Sequence, residues 1–197
     1  MSPLQRCRDD GPVAAWLARR APMTPGPSAL LATLLAAAPI AVLLAASRDR
    51  PAAAALLACA AWLVIIGAVG GRPRPGDRLA WAVPPALRLV EYALLIRLTV
   101  VTDRAAMPAC FALLGVVAFH HYDVVYRLRH QDAAPAPWVA AVAGGWDGRV
   151  LAACLLAVLG DQALRVGLGV AAAALAAVFL LEAATSWRRH GQTWEGA

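Results

Sequence analysis

SALLATLLAAAPIAVLLAA, from Ser28 to Ala46, runs for 19 residues without a charge. A helix rises about 1.5 Å per residue, so roughly 20 apolar residues cross a hydrocarbon core of about 30 Å. The run is long enough to span, and Pro39 inside it is tolerated in a spanning helix. Similar runs follow at Ala52–Gly70, at Leu79–Val101 and from Ala105 to about Tyr126. A fifth runs from near Trp146 to near Gly160, and a sixth from Arg165 to Ala184. The apolar stretch after Arg149 is too long for one helix, and Gly160-Asp161-Gln162 is the natural break. The fifth span is then short and borrows residues from Trp138 onward. The predicted fold class is all-α, a polytopic transmembrane helix bundle of about six spans.

Composition agrees. The 197 residues are 61% hydrophobic and 15% charged, with a mean hydropathy of +0.62. A soluble domain carries about 45–50% apolar and about 25% charged residues, so disorder is excluded and an ordinary soluble enzyme is not expected. All 18 basic residues are Arg, Lys and Asn are absent, and Ala fills 48 positions. Such a bias reflects GC-rich codons, so the net charge of +6 is not by itself a nucleic-acid footprint.

Arginine placement predicts orientation. With six spans, the side holding both termini carries Arg6, Arg8, Arg19, Arg20, Arg72, Arg74, Arg78, Arg127, Arg129, Arg149, Arg188 and Arg189. Only Arg48, Arg50, Arg104 and Arg165 lie on the other side. Both termini are therefore predicted cytoplasmic, in a multi-pass protein of the plasma membrane. Trp81, Trp146 and Trp187 fall at predicted cytoplasmic ends, where an aromatic belt would place them. The organisation reads as a polar, mobile leader (1–27), a six-helix domain (28–187) and a cytoplasmic tail (188–197). His130 to Gly145, with Pro135 and Pro137, reads as the longer cytoplasmic loop. Cys7, Cys59, Cys110 and Cys154 form no C-x-x-C pair and read as small apolar fillers. Gly67 and Gly71 allow close helix contact, and Asp161 and Arg165 mark the last hairpin.

Ionisable residues within spans are costly, and they mark function more often than not. The third span carries Arg88 and Glu91, three apart on one face, and Arg97 near its far end, where it can snorkel outward. The fourth ends His120-His121-Tyr122-Asp123-Val124-Val125-Tyr126-Arg127. The fifth opens Trp146-Asp147-Gly148-Arg149, and Glu182 lies near the cytoplasmic end of the sixth. Arg88, Glu91, His120, His121, Asp123, Arg127, Asp147, Arg149 and Glu182 all fall in the predicted cytoplasmic half. They define a candidate polar pocket facing the cytoplasm.

Several chemistries suit these residues. Arg88–Glu91 reads as a buried ion pair fixing helix packing. His120, His121 and Asp123 read as interfacial residues near headgroups. His beside Asp suits a proton relay, and Arg88, Arg127 and Arg149 suit a lipid phosphate. The His and Asp spacing is not diagnostic of a metal site, and neither a metal nor another cofactor is expected.

The strings Leu87-Arg88-Leu89-Val90-Glu91-Tyr92, Phe119-His120-His121-Tyr122-Asp123-Val124-Val125-Tyr126-Arg127 and Gly144-Gly145-Trp146-Asp147-Gly148-Arg149 resemble an actinobacterial membrane domain of unknown function. That domain is often fused C-terminal to CDP-alcohol phosphatidyltransferases, and H-H-Y-D-x-x-Y-R is its most specific string. The resemblance covers roughly residues 28–187. It carries no catalytic residues over. It implies phospholipid headgroup metabolism at the inner membrane face, with membrane lipids and a CDP-alcohol phosphatidyltransferase as partners. The transferase motif D-x-x-D-G-x-x-A-R is present only as the fragment Asp147-Gly148-Arg149, with Gly144 where an Asp is required.

An accessory or binding domain is therefore the leading expectation, without nucleic acid as a partner. A membrane enzyme acting on a phosphorylated headgroup, with His120 as acid/base and Asp123 orienting it, is the alternative. A small proton-coupled transporter is the third, disfavoured because paired halves and matched broken helices are not seen.

Overall fold

A computed structural model describes residues 7–21, 28–72, 76–130 and 136–194, and every regular element among them is helical. A short helix α1 (Pro12–Arg20) precedes α2 (Ala29–Ala46) and α3 (Ala53–Gly70). A 3-10 turn at Ala80–Ala82 leads into α4 (Val83–Thr102), and another at Arg104–Ala106 into α5 (Met107–His130). Then come α6 (Pro137–Ala143), α7 (Gly145–Leu159) and α8 (Asp161–Trp194). Arg6, Arg74, Pro135 and the ends of the expected leader lie outside the described residues.

Five segments are long and apolar enough to cross a membrane: Ala29–Ala46, Ala53–Gly70, Arg104–His130, Trp138–Leu159 and Asp161–Arg188. The 20-residue α4 has the length of a span but carries Arg88, Glu91 and Arg97. Those charges make it the polar helix of the bundle. It packs on α2, α5 and α7, with Leu87, Glu91, Leu94, Leu95 and Leu98 buried. Helix α8 lies against α5 and α7, and α2 against α3. The outward faces are apolar. Leu34, Leu35, Val42, Leu89, Phe111, Val170 and Leu181 are exposed, while Glu91, Arg127 and Arg149 are buried. Water would favour the reverse distribution, and hydrocarbon favours this one.

The two ends of the bundle are stitched differently. At one end, loop charges pair: Arg50 with Asp161, and Arg165 with Asp103 at 2.8 Å. Asp161 and Arg165 thus tie their hairpin to two other connections. The Arg165 hydrogen bond holds the Asp103 carboxyl below the usual range. Arg97 does not simply snorkel outward. Its guanidinium donates to the Leu44 and Ser47 carbonyls at 3.0 and 2.7 Å, capping the C-terminal end of α2.

The other end departs further from expectation. The leader does not hang free, since α1 packs on α3 and α7 and Ala14 is buried. Trp146 does not join an aromatic belt. It is 1% exposed, its ring lies over Gly67, and its indole N–H donates to Asp10 at 2.8 Å. Trp81 and Trp187 are exposed. Gly67 and Gly71 do admit close neighbours: the Trp146 ring of α7 at Gly67, and Thr33 of α2 together with the Arg8 side chain at Gly71. The expected His130–Gly145 loop contains a helix, α6, because Pro137 presets its first turn and Gly144, at φ 70°, ends it. The last span does begin at the Gly160 break, where φ is 127°, but it continues far past Ala184, to Trp194. Cys110 and Cys154 are buried core fillers.

Candidate functional site

The nine residues expected to form one pocket divide into two charged clusters, a stacked histidine and a cap. The larger cluster is built on α4 and α7. Arg149 Nε donates to Glu91 Oε1 at 2.5 Å, and its Nη2 reaches Glu91 Oε2 at 3.2 Å. Arg88 Nη1 stands 3.5 Å from the same carboxylate, so the face shared by Arg88 and Glu91 is used, though Arg149 is the closer partner.

The fourth charge comes from the leader. Asp9 Oδ2 accepts from Arg149 Nη2 at 2.8 Å, meets His121 Nε2 at 3.2 Å, and lies 3.7 Å from Arg88 Nη1. Burial opposes charge on Asp9. Arg149, the His121 hydrogen bond and Arg88 together outweigh it and hold the carboxyl well below the usual carboxylate range. With Asp9 ionised, His121 donates through Nε2, which leaves Nδ1 to accept from the Tyr92 hydroxyl at 3.1 Å. Asp9, His121 and Tyr92 thus form one hydrogen-bonded chain.

The rest of the leader is strapped in as firmly. Arg8 is 1% exposed and donates to the Gly67 and Gly71 carbonyls at the end of α3. Arg88 Nη2 donates to the Cys7 carbonyl at 3.0 Å. Arg72 Nη1 donates to the Ala18 carbonyl at 2.8 Å and to that of Ala21. Asp147 serves the leader rather than a pocket. Its two oxygens accept from the Gly11 and Ala14 backbone N–H groups at 2.6 and 2.8 Å, so it caps the start of α1 from another helix. The approach is close enough to require glycine. A Cβ on Gly11 would overlap the Gly144 carbonyl, and one on Gly145 would overlap the Gly11 backbone.

Arg127, Asp123 and Glu182 form the second cluster, where α5 meets α8. Arg127 donates to Glu182 at 2.7 and 2.5 Å and also to Asp123. His120 joins neither its expected partner Asp123 nor any ligand set. Its ring stacks on Phe179 with centroids 3.9 Å apart and planes 8° apart. Tyr126 lies parallel to Trp187, 6.0 Å away, and also stacks on Tyr122. No group of three or more His, Cys, Asp or Glu with metal-holding geometry occurs among the described residues.

Donors outnumber acceptors in the larger cluster. Among the described residues, the buried Arg88 Nη1 and Arg149 Nη1 have no hydrogen-bond acceptor, although both guanidinium groups are ion-paired. In the smaller cluster Arg127 Nε is in the same state. Buried donors normally find a partner. Two such atoms beside one ionic cluster give it spare capacity for an anion's oxygens.

Sequence reasoning missed Arg8, Asp9, Asp10 and Tyr92. The signal available was the density of Arg8-Asp9-Asp10-Gly11-Pro12, in which one Arg is followed by two Asp and then a helix-starting Pro.

No curated protein and no solved structure matches the chain. A family described only as being of unknown function matches residues 1–194, taking in the leader that the expected range of 28–187 left out. The chain belongs to that family, DUF5941.

Proposed function

We propose that this is a six-span protein of the plasma membrane with both termini cytoplasmic, and that it binds the phosphate of a lipid headgroup as an accessory domain of phospholipid metabolism. Helix α4 is added to the five apolar segments as a span, third in chain order. Its 20 residues reach about 30 Å, its outward Leu89 is apolar, and its charges turn inward to Arg149 and Asp9 or to the end of α2. The arginine distribution supports the orientation, which puts the larger cluster in the cytoplasmic half. Membrane lipids and a CDP-alcohol phosphatidyltransferase are the partners that the sequence resemblance suggests, in an actinobacterial setting.

One observation carries the reading: in this buried cluster Arg149 Nη1 has no hydrogen-bond acceptor, and Arg88 Nη1 has only ion-pair contacts, at 3.5 Å to Glu91 and 3.7 Å to Asp9. Guanidinium groups with free N–H edges suit phosphate oxygens better than any neutral ligand. Native mass spectrometry of protein released from its own membrane tests this. Wild type should retain an anionic phospholipid, and Arg149→Gln should retain much less. Release of wild type free of lipid, or equal retention by the variant, would contradict the assignment.

A second reading, an enzyme acting on a phosphorylated headgroup, is favoured by the Asp9–His121–Tyr92 chain. It moves the acid/base role from His120 to His121, which alone has a carboxylate to orient it. Product formation from CDP-activated headgroups by wild type, lost in His121→Gln but kept in His120→Gln, would establish it.

A further inference from the structure

The leader places a carboxylate where the proposed ligand's anion would sit. Asp9 receives Arg149 and His121 through one oxygen, Oδ2, with Arg88 just beyond hydrogen-bonding distance. Among the described residues, Arg149 Nη1 of the same cluster has no hydrogen-bond acceptor, and Arg88 Nη1 is ion-paired without one. A single carboxylate therefore fills the charge requirement without filling the donor requirement. Asp9 is also the one non-glycine residue among those described with positive φ, at 55°. Asp tolerates that region better than most residues but does not prefer it. The leader is bent to bring this side chain in.

Charge counting identifies the ligand class. Arg88 and Arg149 are balanced by Glu91 and Asp9 when His121 is neutral. Removing Asp9 leaves one positive charge. A phosphodiester monoanion restores the balance and offers two non-bridging oxygens in place of one engaged carboxylate oxygen. A phosphomonoester dianion would overshoot it in a low-dielectric interior.

We propose that the Asp9 carboxylate is a built-in stand-in for a phosphodiester monoanion, which displaces the Cys7–Gly11 segment to reach Arg88, Arg149 and His121. This rests on the anion-binding reading above and adds the ligand's charge class and the segment that competes with it. The leader would then report occupancy. Its Cys7 is half-buried with its carbonyl held by Arg88, whereas Cys59, Cys110 and Cys154 lie within helices of the bundle.

The experiment uses the full chain in detergent with dioctanoylphosphatidylglycerol as the probe. Dioctanoylglycerol serves as the phosphate-free control, dioctanoylphosphatidic acid as the monoester, and glycerophosphoglycerol as the acyl-free diester. Two readouts are taken: affinity by native mass spectrometry, and maleimide labelling of Cys7 located by peptide mapping. A tethered competitor acts at an effective concentration in the millimolar range, so Asp9→Asn should bind the diester lipid at least about tenfold tighter than wild type. In wild type the lipid should speed Cys7 labelling at least about threefold, and dioctanoylglycerol should not. This second readout needs no variant, so a poorly folding Asp9→Asn would leave the proposal testable. Equal diester affinity in wild type and Asp9→Asn, with unchanged Cys7 labelling, overturns the displacement while leaving anion binding intact. Tighter binding of the monoester than the diester overturns the charge class. Failure of both proteins to bind any phosphate compound overturns the anion-binding reading itself. Binding of glycerophosphoglycerol as tight as that of the lipid supports the chemistry and identifies a soluble diester as its source.

Discussion

Replacing Arg149 with Gln should be among the most damaging single changes in the bundle. Its side chain is 5% exposed and bridges two carboxylates, Glu91 at 2.5 Å and Asp9 at 2.8 Å. Gln keeps some hydrogen bonding but no charge. It leaves Glu91, 1% exposed, and Asp9 with Arg88 as their remaining guanidinium, at 3.5 and 3.7 Å, and Asp9 with the neutral His121 hydrogen bond. Stripping one partner from a buried ion pair costs about 3–5 kcal/mol, mainly through the uncompensated charge left behind. At about 2–4 °C per kcal/mol for a chain of this size, the melting temperature should fall by about 6–20 °C. Maleimide labelling of the buried Cys110 and Cys154 provides the assay, located by peptide mapping because Cys7 and Cys59 are only half-buried. Adding Glu91→Gln to Arg149→Gln should recover part of the loss, since it removes one stranded carboxylate. The burial argument is refuted by a fall of less than about 2 °C, or by a double variant less stable than Arg149→Gln alone.

Other predictions concern the leader. Asp147→Ala removes both acceptors at the start of α1 and should cost about 1 kcal/mol, seen as faster amide exchange at Gly11 and Ala14. Gly11→Ala should undock the leader by overlap with the Gly144 carbonyl, raising maleimide labelling of Cys7 without ligand. The depressed Asp9 titration fixes the sign of its pH effect. Its contribution is fully present above the unfolded value near 3.9 and is lost as pH falls through the lower folded value. With His121→Gln in place, so that no imidazole titrates beside the carboxylate, exchange in residues 7–11, corrected for intrinsic rates, should stay constant from pH 7 to about pH 5. Release within that window would contradict the Asp9 pairing.

The helical class was legible because hydrocarbon demands long unbroken apolar runs. Ser28–Ala46 and Ala52–Gly70 needed no tertiary information, and they fold as α2 and α3 within a residue of each end. The charged α4 was legible as an exception to the same rule. The leader was not, because Arg8-Asp9-Asp10 in isolation is indistinguishable from a solvated segment. Only the Gly67 and Gly71 carbonyls, the Trp146 indole and Arg149 make burial tolerable for it. The adjacent histidines show another limit. Successive helix positions point about 100° apart, so His120 and His121 face different neighbours. Sequence spacing put His120, Asp123 and Arg127 on one face. The fold keeps Asp123 with Arg127, but stacks His120 on Phe179 and turns His121 to the distant Asp9.

The proposed lipid-phosphate site is built of guanidinium groups in the proposed cytoplasmic half of the bundle. Solid-state NMR of 15N-arginine-labelled protein in phosphatidylglycerol nanodiscs tests this directly through 15N–31P dipolar dephasing. The predicted result is an immobilised phosphate dephasing guanidinium signals that disappear in Arg88→Gln and Arg149→Gln, with stronger dephasing in Asp9→Asn. Dephasing confined to arginines that survive both substitutions would contradict it, whereas dephasing unchanged by Asp9→Asn would contradict only the displacement of the leader.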